Sequence, residues 1–138
     1  MVIRPMKKLI LLLAALCCLA SCDKVLEEVS FRVEADGNTP CEAGREIVFR
    51  LGGNPDYITF YSGEAGHRYE YAGRTDPDGT AHYGVSVKAM DNRKNAFTYV
   101  YENPGEYDAA FVAKNVTFEG ENTAVVRLRI TVSEPADQ

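Results

Sequence analysis

From Val29 to Val132 apolar side chains recur at every second position, and Gly, Asn, Asp and Pro break the pattern at short intervals. Val29, Phe31 and Val33 alternate with Ser30, Arg32 and Glu34; Ile47, Phe49 and Leu51 alternate with Val48 and Arg50. Ile58 and Phe60 lie between Tyr57, Thr59 and Tyr61. After a long polar stretch, Tyr83, Val85 and Val87 face one way and Gly84, Ser86 and Lys88 the other. Phe97, Tyr99 and Tyr101 follow, then Tyr107, Ala109, Phe111 and Ala113, and finally Val126, Leu128, Ile130 and Val132, separated by Arg127, Arg129 and Thr131. A period of two is that of a strand with one buried face, so about seven short strands are expected. No window from Val29 onward keeps a helical period over three turns. Strands with one apolar face need a second sheet to cover them, which predicts an all-β, two-sheet antiparallel sandwich of about 100 residues.

The first residues follow a different rule. Arg4, Lys7 and Lys8 precede an unbroken apolar run, Leu9 to Leu19. As a helix that run spans about 16 Å, short of the roughly 30 Å of a hydrocarbon core, and it suits a secretory leader better than a membrane span. Leu19-Ala20-Ser21-Cys22 resembles the lipobox of bacterial lipoproteins, in which the cysteine is acylated and the chain is cut before it. Cys17 and Cys18 fit that pattern less well. The expected organisation is a leader over 1–21, a lipidated Cys22 with a tether over 22–28, one domain over 29–133 and a polar tail over 134–138. Two or three acyl chains hold a protein on a membrane durably, whereas one is marginal. Acidic residues in the tether (Asp23, Glu27, Glu28) resemble surface-export signals of Bacteroidota-type lipoproteins.

Charge and cysteine content sharpen this reading. The formal charge is −5, and it becomes −8 without the leader, which carries three basic residues and no acidic one. An acidic domain is a poor match for nucleic acid or for anionic lipid, so membrane contact is expected through the acyl chains alone. Removing the leader takes away Cys17 and Cys18, and acylation occupies Cys22, leaving Cys41 with no partner for an intramolecular disulfide. It reads as a small apolar filler.

Asn103-Pro104-Gly105-Glu106-Tyr107, followed by alternation to Ala113-Lys114-Asn115, resembles the late half of a PKD domain. In that immunoglobulin-like family a P-G-x-Y turn leads into the sixth strand, an Asn ends it, and the tyrosine hydroxyl bonds to nearby backbone as a tyrosine corner. The usual W-D-F-G-D-G signature is replaced by Ile58-Thr59-Phe60-Tyr61-Ser62-Gly63-Glu64, and the chain has no tryptophan. Gly53-Asn54-Pro55-Asp56 with ITFYSGEAGHRYEY resembles the PKD-like domain of a family of Bacteroidota surface lipoproteins of unassigned function. The resemblance implies an immunoglobulin-like sandwich over 29–133 at the outer membrane, beside a polysaccharide-uptake system. In that family the PKD-like domain is often followed by further domains that would carry ligand binding, and the alternative reading is that this chain is the stand-alone remnant of a longer lipoprotein.

Candidate chemistry concentrates between Tyr57 and Tyr71, which holds four of the eight tyrosines. If Tyr57–Tyr61 is the third strand and pairs with the Tyr107–Lys114 strand, Tyr57 and Tyr61 face outward near Asp108, Lys114, Arg127 and Arg129. Aromatic rings among carboxylates and guanidinium groups suit a sugar; the plainer alternative is that these tyrosines decorate the sheet or pack beneath the next loop. In that loop Glu64, His67, Arg68, Tyr69, Glu70 and Tyr71 could form a polar pocket. Glu64, His67 and Glu70 would make a meagre metal site, and none is expected. Asp76-Pro77-Asp78-Gly79 lacks the ligands of a calcium loop and reads as a turn. No G-x-S-x-G, H-E-x-x-H, phosphate-binding or dinucleotide-binding motif occurs, so neither enzyme activity nor a cofactor is expected. The expected function is a lipid-anchored envelope accessory that binds glycan or supports an uptake complex; the alternative is a structural or protein-interaction module.

Overall fold

The structure is a computed structural model and describes residues 28–36, 41–89 and 93–135. The leader, Cys22, all but the last residue of the tether, the Gly37-Asn38 turn and residues 136–138 lie outside the described residues.

Eight strands occur among the described residues: β1 (Phe31–Asp36), β2 (Cys41–Glu42), β3 (Glu46–Gly53), β4 (Tyr57–Tyr61), β5 (Val85–Lys88), β6 (Ala96–Val100), β7 (Gly105–Thr117) and β8 (Gly120–Ser133). One sheet has the order β1-β3-β6 and the other β2-β8-β7-β4-β5. The chain crosses between the sheets from β1 to β2, β2 to β3, β3 to β4, β5 to β6 and β6 to β7, the connectivity of an immunoglobulin-type sandwich. The expected pairing of the third periodic segment is present, with Tyr57 opposite Lys114 and Tyr61 opposite Ala110. Strand β2 was not foreseen, since two residues carry no period. It runs parallel to β8, with Cys41 opposite Val132, and covers the edge of that strand.

The inward faces meet in an aromatic core. Phe49 lies 5.1 Å from Phe111 and 5.7 Å from Phe60, and Phe60 lies 4.7 Å from Phe111, ring centroid to ring centroid. Ile58, Ile130 and Tyr101 are buried around them. The Tyr101 hydroxyl donates to the Ser62 carbonyl at 2.8 Å, and its ring stacks on Tyr107 at 4.5 Å. Tyr107 donates in turn to the Asn103 carbonyl at 2.8 Å, closing the tyrosine corner that the Pro104-Gly105 turn implies. Cys41 packs against this core, and burial raises its thiol pKa.

Three local expectations are corrected. Tyr83 (68 % exposed), just before β5, and Val85, within it, turn outward, while Val87 and Lys88 are both buried. The register slips between Ile58↔Lys88 and Thr59↔Ser86, and this bulge breaks the alternation. The Lys88 ammonium donates to Asn54 Oδ1 at 3.0 Å and to the Pro55 carbonyl. In β7 Ala109, Ala110, Phe111, Val112 and Ala113 are all buried, so the centre of this strand is covered on both faces. Strand β7 also continues past Asn115, whose Oδ1 accepts from the Asp56 amide at 3.1 Å while Asp56 Oδ2 accepts from the Val116 amide at 2.9 Å. These bonds tie the Gly53–Asp56 turn to the outer part of the β7–β8 hairpin.

Candidate functional site

The outer cover of β7 is the segment 62–84, which joins β4 to β5. It holds its shape by bonding to itself. The Gly63 amide donates to the His67 carbonyl at 2.9 Å, and Tyr69–Tyr71 form a single 3-10 turn. Asp76 makes the expected turn: its Oδ1 accepts from the Asp78 and Thr80 amides at 2.9 and 3.0 Å. Its Oδ2 lies 2.8 Å from Nε2 of the buried His82. His82 Nδ1 accepts from the Arg68 amide at 3.0 Å, so the ring is the tautomer with its proton on Nε2, donating to Asp76. The hydrogen bond from His82, then those from the backbone amides, hold the Asp76 carboxyl below its ordinary value. A second tie is the donation from His67 Nδ1 to the Tyr83 carbonyl at 2.9 Å.

This clasped loop lies on the sheet where glycine lets the chains approach closely. A side chain at Gly84 would meet Thr59 Cγ2 at 2.4 Å and the Tyr61 ring at 2.9 Å. Gly63 has φ +86° and passes so near β7 that a Cβ would stand 2.6 Å from the Asp108 carbonyl oxygen. Tyr69 reaches back to Tyr61, with ring centroids 5.5 Å apart, and the Arg127 guanidinium sits 5.3 Å from the Tyr69 centroid.

Between loop and strands opens a groove of about 610 Å³, walled by Gly63, Arg68, Tyr69 and Glu70 on one side and by Glu106, Asp108, Arg127 and Arg129 on the other. Arg129 donates through Nη1 to Asp108 at 2.9 Å and through Nη2 to Glu106 at 2.6 Å. Those two carboxylates raise the Arg129 pKa. A neighbouring depression of about 510 Å³ shares Tyr69, Glu70 and Arg127 and adds Ala72 and Arg74, whose guanidinium donates to the Glu70 carbonyl.

The residues singled out from sequence divide between this groove and its supports. Arg68 and Tyr69 line it. Tyr61 is half-buried beneath Tyr69; burial, with Tyr69 beside it, raises its pKa. Glu64 accepts from the Tyr99 hydroxyl of the opposite sheet and so closes that end of the sandwich. His67 ties the loop to itself, and Tyr71 packs on the His82 ring at 5.0 Å. Tyr57, 38 % exposed, stands at the far end of β4, opposite Lys114 and away from the groove. Arg127, Arg129 and Asp108 alternate outward on their strands, a signal readable in sequence; Arg74 and Glu106 carried none that set them apart. Among the described residues no three His, Cys, Asp or Glu side chains gather as a metal site.

Residues 20–115 match the family described as a domain of unknown function, DUF5017. The chain belongs to that family. No curated protein and no solved structure matches it. The DUF5017 segment supplies β1 to β6, most of β7 and the whole clasped loop, whereas β8, with Arg127 and Arg129, lies beyond the matched residues.

Proposed function

We propose that this DUF5017 protein is a PKD-like surface lipoprotein, anchored to the outer membrane through acyl chains on Cys22, that binds a glycan without enzymatic action, as an accessory to polysaccharide uptake. One observation carries the binding reading. A tyrosine ring stands in an open groove between guanidinium and carboxylate groups, on a loop pinned by side-chain hydrogen bonds. Apolar sugar faces pack on aromatic rings, and sugar hydroxyls both donate to carboxylates and accept from guanidinium groups. Glycan-array binding by residues 23–138, beside a Tyr69→Ala variant of unchanged thermal stability, tests this. Binding weakened at least tenfold in the variant supports the groove; a wild-type domain that binds no glycan overturns the reading.

A second reading, a protein-interaction module, has its own observation. Strand β5 lies at the edge of its sheet with Tyr83 and Val85 exposed, and Phe118 is fully exposed in the β7–β8 turn. Under that reading an outer-membrane complex co-purifies with the wild-type chain and is lost on Tyr83→Ser and Phe118→Ser, while the purified domain ignores sugars.

A further inference from the structure

The charges around the groove are sorted rather than mixed. At one end Arg129 is flanked by Glu106 and Asp108, a cluster with one formal negative charge in excess. At the other, Arg68, Arg74 and Arg127 face a single carboxylate, Glu70, which leaves two positive charges in excess. This is unusual ground for a chain whose formal charge is −5. Arg127 is the centre of the positive end, since it lines both depressions. Among the described residues its guanidinium lies 5.3 Å from the Tyr69 ring centroid and makes no salt bridge. A guanidinium stacked on an aromatic ring is held in place while its N–H fork stays open to a planar or tetrahedral anion.

We infer that the groove selects an acidic oligosaccharide, whose carboxylate or sulfate lies on Arg127 with Arg68 and Arg74 beside it. Neighbouring sugar hydroxyls donate to the remaining lone pairs of Glu106 and Asp108, which the Arg129 guanidinium holds in place. This rests on the glycan reading above and adds the class of sugar. Arg127 fixes where the anion lies and the acidic cluster fixes the register of the next residue, so the two ends act as one polarised site.

The test is an array of neutral, uronic-acid-containing and sulfated oligosaccharides. It is probed with the full-length chain purified in detergent and with its Arg127→Ala and Arg127→Lys variants, whose melting temperatures are compared with the wild type. The expected result is at least tenfold preference for acidic over neutral oligosaccharides, lost in Arg127→Ala, partly kept in Arg127→Lys, and weakened by added sodium chloride. Preference for uronic acids or for sulfated sugars identifies which anion is held. Equal binding of neutral and acidic sugars overturns the charge selectivity and leaves glycan binding standing. Acidic selectivity that survives in a folded Arg127→Ala variant overturns the assignment to this groove. No binding to any sugar overturns both the inference and the reading beneath it.

Discussion

Single side chains set how this sandwich responds to alkali. Tyr101 is fully buried, and burial pushes its phenol well above the ordinary value near 10. Because the folded pKa is the higher one, the stability it contributes is complete below about pH 10 and is lost as the pH rises further. Tyr99, raised by burial and then by the Glu64 carboxylate, adds in the same direction. Urea unfolding at pH 7 to 11 is expected to show a falling midpoint above about pH 10, shallower in Tyr101→Phe. At pH 7 that variant loses the hydrogen bond to Ser62 and should cost about 1 kcal/mol. Gly63 is sensitive for a steric reason: Gly63→Ala meets the Asp108 backbone at positive φ and is expected to cost about 1–3 kcal/mol by the same measurement.

The elements differ in what holds them. The 62–84 loop is clasped through Asp76 and His82, beside the packing of Tyr69 on Tyr61 and of Tyr71 on His82. The Asp76 carboxyl titrates below its ordinary value, so its contribution is complete above about pH 3.9 and is lost as the pH falls through the lower, folded value. Amide NMR signals of Asp78 and Thr80, followed from pH 7 to 2, should move with a midpoint below about 3.9; a midpoint above it contradicts the clasp. Asp76→Asn should speed tryptic cleavage after Arg68 and Arg74 while leaving β7 and β8 protected. Alternation placed every strand long enough to show it, because a buried face imposes its period locally. It failed at β5, where a bulge breaks the alternation and buries Val87 and Lys88 together, and it could not show that a loop lies over Ala110. The Asp76 turn was legible in four residues. The meeting of Tyr69 with Arg127 was not, since it depends on the loop folding back over a strand from the far end of the chain.

At the scale of the molecule, one aromatic core joins the sheets, and Phe111 touches Phe49, Phe60 and Phe97 within it. Phe111→Ala is expected to cost about 3–5 kcal/mol, read as a lower denaturation midpoint. The fold also has a direction. Strand β1 begins beside Gly53, where a Cβ would strike the Ser30 carbonyl oxygen, at the end where Asp56 grips Asn115 and Val116. The groove opens near Asp108, seven residues back along β7, a distance of roughly 23 Å at the usual rise of a strand. The start of β1 and the groove therefore lie towards opposite ends of the sandwich. Coupled to a sensor surface through the end at which β1 starts, the protein should keep its binding capacity in full.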